Sequence, residues 1–206
     1  MEKRVYRSPR RDLAATQTRH AILDAAAELF GTRGYAPTTV TQVAEAAEVA
    51  TNTVYTSIGG KPQLVVALTE RAVADPTVGQ TMDKVEAAGS AAEILRATAK
   101  GTADTCRHHL RLIIMLYENT HADPMIAEAG QFADRLYRER LDQVTDRLIA
   151  VGGLRPGLDR AEIRDVLWFY FGRISWVALR ELGWSWARGQ RWLTEQASAA
   201  LCAQPA

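Results

Sequence analysis

The stretch TTVTQVAEAAEVATNTVYTSIGGK, from Thr38 to Lys61, predicts two short helices joined by a tight turn. Thr39 and Gln42 have the spacing of a capping box, in which each side chain satisfies a backbone amide at the start of a helix. The apolar residues that follow recur at helical spacing and predict a buried stripe: Val40, Val43, Ala44 and Ala47. A turn around 48–50 then leads into the second helix, expected at 51–57.

This second helix leaves small polar side chains exposed, while Val54 and Ile58 lie one turn apart and anchor it inward. Short hydroxyls and one carboxamide can reach base edges in a major groove without filling it. Tyr55 can donate to a phosphate, and Lys61 lies at the start of the next helix, where anions are favoured. The pattern therefore indicates a DNA-reading helix; the alternative is an ordinary helical hairpin with solvated Thr and Ser side chains.

The order of residues around this stretch carries a resemblance to a known family. His20–Phe30 (HAILDAAAELF) is followed by Gly34-Tyr35, Thr38-Thr39, Val43-Ala44, Ala47, Val49, Val54-Tyr55, Lys61 and Leu64. Over residues 19–64 this resembles the N-terminal signature of the tetracycline-repressor (TetR) family of bacterial transcription regulators. The resemblance implies a helix-turn-helix whose third helix enters the major groove.

The same resemblance implies which side chains touch DNA. The expected DNA-binding residues are Thr39, Thr41, Gln42, Thr51, Asn52, Thr53, Tyr55, Thr56, Ser57 and Lys61. The chain departs from the family pattern at Glu48, where glycine is usual because it tolerates positive φ, so we expect a turn that is either strained or shaped differently. Ala50 replaces the usual serine and removes a helix N-cap worth about 1 kcal/mol.

Composition sets the broader limits. The chain has 206 residues and a net charge of +1, but residues 1–20 alone carry a net charge of +4. We expect residues 1–12 to form a flexible basic arm, which either follows DNA or is a solubilising tail. Cys106 and Cys202 have no metal or redox spacing, which favours a cytoplasmic protein. Charged residues interrupt the most apolar segment, 163–182, so we expect no membrane span.

The helical patterns predict an all-α fold of about nine helices in two domains. A helix-turn-helix DNA-binding domain is expected at 13–75 and a helical ligand-binding and dimerisation domain at 80–206. Asp75-Pro76 and Gly79 are expected to end the fourth helix. Further helices are expected at 90–107, at 110–120, from Pro124 to before Gly152, at 159–182 and from Ser185 to about Cys202.

The resemblance also implies a homodimer that responds to a small molecule. A helix at 159–182 that is apolar nearly all round should pack on its own domain and on a second subunit. The expected interface residues are Ile163, Phe171, Gly172, Ser175, Trp176, Leu179 and Trp192. The expected ligand-binding residues are Arg111, Met115, Tyr117, His121, Phe132, Trp168 and Phe171.

These expectations favour one class of function over two others. No phosphate loop, nucleophile motif or metal-ligand spacing is present, so we expect neither enzyme activity nor a cofactor or metal. A helical protein-interaction adaptor is the main alternative. The favoured function is a ligand-responsive regulator, expected to be a repressor, that binds a palindromic DNA operator as a homodimer; its effector changes the spacing of the two reading helices.

Overall fold

The computed structural model describes residues 9–203, and the regular structure within them is helical. Ten helices follow one another: α1 (Pro9–Arg33), α2 (Val40–Ala46), α3 (Thr51–Ser57), α4 (Lys61–Val73), α5 (Pro76–Ala87), α6 (Ala91–Glu118), α7 (Pro124–Val151), α8 (Arg160–Phe171), α9 (Arg173–Glu181) and α10 (Trp186–Leu201). The predicted all-α class is confirmed, with one helix more than the sequence indicates. None of the described helices is long and apolar enough to cross a membrane.

The chain divides into two compact units that do not follow the chain order. The N-terminal unit comprises the described part of Met1–Arg71 together with Met115–Gly130, and the C-terminal unit comprises Ala72–Ile114 and the chain from Gln131 onward. The end of α6, the turn after it and the start of α7 therefore belong with the helix-turn-helix. No sequence pattern indicates this return of the chain.

The N-terminal unit is built on the short helices that the sequence predicts. Thr39 caps α2, its hydroxyl accepting from the Gln42 amide while the Gln42 side chain accepts from the Thr39 amide, so the predicted capping box is present. The unit has an apolar interior; its fully buried residues include Ile22, Ala26, Val43, Val54, Leu64 and Val65. This interior fixes α2 and α3 against α1.

The C-terminal unit has its own core, to which α5 to α10 contribute. Its largest fully buried side chains are Trp176, Phe171, Ile94, Leu95, Leu141, Leu148, Ile163 and Leu167. Main-chain hydrogen bonds also hold its C-terminal end, since Arg155 donates to Leu201 and Ala203 donates to Gly153. This unit could fold around its own apolar interior, as an independent domain does.

Two boundaries in the C-terminal unit differ from the prediction. The fourth helix, α4, ends at Val73 as expected, but Pro76 begins a further helix, α5, which Asp75 caps through the Thr77 amide, because proline is tolerated at the first helical position. The helices expected at 90–107 and 110–120 are a single helix, α6. The basic arm expected at 1–12 is only partly described: residues 1–8 lie outside the described range, and residues 9–12 begin α1.

The single helix expected at 159–182 is wrong. Gly172 adopts an extended backbone, φ −69° and ψ 160°, which ends α8 and begins α9. A Cβ at this position would lie 2.3 Å from the carbonyl oxygen of Trp168. The glycine therefore permits a sharp break between two helices.

Candidate DNA-binding surface

Helix α3 presents the polar face that the sequence predicts. Val54 is fully buried and anchors the helix, whereas Asn52, Tyr55 and Thr56 are exposed. The Thr56 hydroxyl donates to the carbonyl of Asn52, which leaves its oxygen free to accept. Thr51, Thr53 and Ser57 are half-buried at the edges of this face. The carboxamide, the phenol and the hydroxyl are suited to base edges and phosphates.

The turn before α3 adopts the conformation that glycine would favour. Glu48 has φ of 55°, in the left-handed region, and is the only non-glycine residue of positive φ among those described. Its side chain is exposed. Ala50 then begins α3 without a side-chain cap. The turn is therefore strained, which is one of the two expected alternatives, and the missing cap is confirmed.

Arg19 of α1 fixes the other end of α3. Its guanidinium donates to the backbone carbonyl of Ser57 at 2.9 Å. The last carbonyls of a helix lack partners within it and carry partial negative charge, so a cation is favoured there. Sequence reasoning placed Arg19 with the basic N-terminal segment and missed this role, for which the sequence offers no local signal.

The residues of α2 that are expected to bind DNA differ in how many of their side-chain donors and acceptors are already used within the protein. The side chains of Thr39 and Gln42 are both used in the capping box, so any contact they make with DNA must come from their remaining lone pairs and N–H groups. Thr41 is exposed and has no such commitment within the part of the chain that the structure describes. Thr41 is therefore the free hydroxyl at the N-terminus of α2.

Lys61, at the first position of α4, is held rather than free. Its ammonium donates to the carbonyl of Ala36 at 2.9 Å and lies 4.1 Å from the centroid of the Tyr35 ring. Burial lowers the pKa of Lys61 below its ordinary value. An ammonium has three donors, so a phosphate can still bind.

The turn between α6 and α7 lies near Lys61 and Tyr35 within the N-terminal unit. The Gln63 amide donates to the sulfur of Met125 at 3.4 Å. Burial raises the pKa of Tyr35, and the Asp123 carboxylate raises it further. Asp123 also caps α7 through the Met125 amide. The sequence does not indicate that Asp123 lies close to Tyr35, because the two are far apart in the chain.

The residues expected to bind a ligand fall in both units. Met115 and Tyr117 belong to the N-terminal unit, where Met115 is buried and the Tyr117 hydroxyl lies 3.4 Å from the carbonyl oxygen of Gly130. His121 in the same unit is exposed, as is Arg111 in the other. The remaining three lie in the C-terminal unit.

Those three have different environments. Phe171 is buried, Phe132 is partly exposed, and the ring of Trp168 packs against Tyr137 and beneath the guanidinium of Arg138, 4.1 Å from its centroid. An open surface depression of 540 Å³ on α8, lined by Asp159, Glu162, Phe169 and Tyr170 among others, includes none of the predicted ligand residues. Among the described residues, no group of His, Cys, Asp or Glu is arranged to hold a metal ion.

The residues expected at a subunit interface have different environments within the chain. Ile163, Phe171, Trp176 and Leu179 are buried in the core of the C-terminal unit, and Gly172 is the helix break. Ser175 donates to the carbonyl of Phe169, and Trp192 is partly exposed. The apolar side chains that α8 to α10 and the turn after α9 leave exposed are Phe169, Ile174, Leu182 and Trp192, of which only Trp192 is among the residues expected at the interface.

Comparison with known proteins places this helix-turn-helix in a family. Residues 22–68 match the model of the bacterial regulatory proteins of the TetR family. None of the curated proteins matches the chain.

Solved structures share the fold of the whole chain. FadR from Bacillus subtilis, in complex with stearoyl-CoA, has a TM-score of 0.73 at 18% identity, covering 88% of this chain and 98% of FadR. A protein from Saccharomonospora viridis in complex with choline has a TM-score of 0.75 at 16% identity, with coverage of 92% and 100%. A TetR-family protein from Mesorhizobium loti has a TM-score of 0.64 at 18% identity, with coverage of 92% and 98%.

The fold and the exposed face of α3 define a helix-turn-helix protein. Residues 22–68 match the family model of the TetR regulators, and the fold of the chain is similar to that of solved TetR-family proteins. The resemblance drawn from the sequence is thereby confirmed.

Proposed function

We propose that this chain is a homodimeric transcriptional repressor that binds a palindromic operator and releases it when a small molecule binds. The observation that carries the proposal is the exposed polar face of α3, anchored by the buried Val54 and flanked by the fixed cation of Lys61. Asn52 supplies base readout, while Tyr55 and Lys61 supply phosphate contacts.

The dimer is supported by the apolar face that α8 to α10 leave exposed. Phe169, Ile174 and Leu182 are each about two-thirds exposed or more, at 69%, 65% and 70%, and Trp192 in the last helix is 39% exposed. Large exposed apolar side chains on helices that pack on one another are candidates for an interaction surface. A two-fold dimer reads two half-sites about one helical turn apart or a multiple of it, and so selects a palindrome.

The effector site is proposed in the helical region after α4. Similar folds hold stearoyl-CoA in one solved protein and choline in another. Phe132, Trp168 and Phe171 are the proposed walls of this site in the C-terminal unit. A thermal-shift panel that includes an acyl-CoA and a quaternary amine tests whether either chemistry stabilises the protein.

The experiment that tests DNA binding is selection from a random duplex library, followed by anisotropy titrations of the selected duplex at several salt concentrations. We expect a palindromic consensus and a steep loss of affinity with salt. A library that shows no enrichment would contradict the proposal.

Two variants separate the roles of the residues. Lys61→Ala should weaken binding to selected and scrambled duplexes alike, and should reduce the salt slope by about one for each phosphate that Lys61 neutralises. Asn52→Ala should weaken the selected duplex by about 1–3 kcal/mol and leave scrambled DNA nearly unchanged. Equal losses on both duplexes for Asn52→Ala would remove it from base readout.

A further inference from the structure

The ammonium of Lys61 is fixed before any DNA arrives. Two groups from the loop after α1 hold it: the carbonyl of Ala36 at 2.9 Å and the ring face of Tyr35, 4.1 Å from its centroid. A free lysine side chain is flexible and loses rotamer freedom when it binds. A lysine held in this way has lost much of that freedom on folding.

Tyr35 is itself held in place. Its ring packs against Phe30 with centroids 5.6 Å apart, and Phe30 is buried in the N-terminal unit. The Tyr35 side chain is half-buried. The π face of an aromatic ring attracts a cation within about 6 Å of its centroid. The ring can therefore fix the ammonium without competing for it as a hydrogen-bonding oxygen would.

The donor count leaves room for a phosphate. One N–H of the ammonium is directed to Ala36 and the ring face takes at most one more, so at least one N–H is open to an incoming oxygen. The lysine is also the first residue of α4, whose free backbone amides favour an anion at the same place.

We propose that Tyr35 is a positioning residue for DNA binding: its ring holds the Lys61 ammonium where a backbone phosphate binds. This inference rests on the proposed DNA-binding role of Lys61. In the alternative, Tyr35 only packs against Phe30, and its contact with the lysine adds nothing to DNA affinity.

A double-mutant cycle on the selected duplex distinguishes the two. Tyr35→Leu removes the ring face and keeps an apolar side chain, and we expect it to weaken binding about fivefold. Tyr35→Phe keeps the face and should bind within about twofold of the wild-type chain. In a Lys61→Ala background, Tyr35→Leu should change the affinity less than about twofold, because the cation it positions is absent.

The matched control is Val43→Ala, which removes part of a fully buried side chain from the core of the same unit and changes neither group that holds the ammonium. We expect Val43→Ala to have the same effect on affinity with and without Lys61. If Tyr35→Leu behaves in that way too, with equal losses in both backgrounds, Tyr35 is a packing residue and the inference is overturned.

A second measurement covers the case in which Tyr35→Leu does not fold. Phenylalanines with increasing numbers of fluorine atoms, introduced at position 35, weaken the ring quadrupole while nearly keeping its shape. Affinity for the duplex should fall stepwise along this series, and a flat series would overturn the inference. If the wild-type chain selects no duplex, the proposed function itself is overturned. This outcome differs from failure of the Tyr35 inference, which shows only as a difference between variants of a chain that binds DNA.

Discussion

Glu48 adopts a backbone conformation that is unfavourable for a residue with a side chain. Its φ of 55° lies in the left-handed region, where a Cβ approaches the carbonyl oxygen and glycine is favoured. Glu48→Gly should raise the free energy of unfolding by about 0.5–1 kcal/mol, since the relief of strain exceeds the added freedom of the unfolded chain. Urea denaturation measures the change.

Glu48→Ala is the control for the charge. It removes the exposed carboxylate but keeps the Cβ, so it should leave the stability near that of the wild type. Both variants should bind DNA more tightly, because each removes a negative charge from the turn that precedes α3. If Glu48→Gly is no more stable than Glu48→Ala, the turn is not strained.

Asp75 is the second residue whose environment predicts a measurable effect. Burial alone would raise the pKa of its carboxyl, but hydrogen bonds from the Thr77 hydroxyl and amide and from His109 lower it to about 2. A lowered pKa in the folded state means that the carboxylate stabilises the fold above its unfolded pKa near 4. That stabilisation is lost as the pH falls towards 2.

Asp75→Asn should therefore lower the free energy of unfolding by about 2 kcal/mol at pH 7, and the difference should shrink between pH 4 and pH 2. Urea titrations at pH 7, 5 and 3 measure it. The exposed Asp83→Asn on α5 is the matched control and should have little effect at any of these values. A difference for Asp75→Asn that does not change with pH would contradict the role of its charge.

At the scale of single elements, the break between α8 and α9 depends on one glycine. Gly172→Ala places a Cβ 2.3 Å from a backbone carbonyl, which cannot move as a flexible side chain could. We expect the free energy of unfolding to fall by about 2–3 kcal/mol.

Gly79→Ala is the opposite case. Gly79 lies inside α5, and a Cβ there meets nothing within 4 Å. Alanine should raise the stability by about 0.5–1 kcal/mol, because glycine is a poor helix former. Thermal unfolding of both variants provides the measurement, and a tolerated Gly172→Ala would show that the break lies elsewhere or can move.

The elements also show where sequence reasoning succeeds and where it stops. Capping at Thr39, Asp123, Asp159 and Ser185 was predictable because each cap is set by residues two or three positions away. The break at Gly172 was not, because an apolar run continues across it. The hydrogen-bond partners of Lys61 and Ser57 could not be predicted either, because Ala36 and Arg19 come close to them only in the folded chain.

At the scale of the whole molecule, the proposed dimer predicts an effect of charge on assembly. Ile174→Glu together with Leu182→Glu places two carboxylates on the exposed apolar face, and a buried charge without a partner costs several kcal/mol. We expect the dimer dissociation constant to rise about 100-fold or more, as measured by sedimentation velocity.

Ile149→Glu is the control for added charge, since Ile149 is exposed on α7 in the same unit and outside this face. It should leave the dimer intact. Monomers from Ile149→Glu, or intact dimers from the double variant, would place the interface elsewhere. Loss of the dimer should also weaken binding to the palindrome more than to a single half-site.

The return of Met115–Gly130 to the N-terminal unit bears on how regulators of this kind are recombined. A chimera that joins residues 1–71 to a foreign sensor would separate the helix-turn-helix from Asp123 and Met125, which supply part of its own unit. A working chimera must therefore take two segments from this chain rather than one: the N-terminal helices and the turn between α6 and α7 that completes their unit.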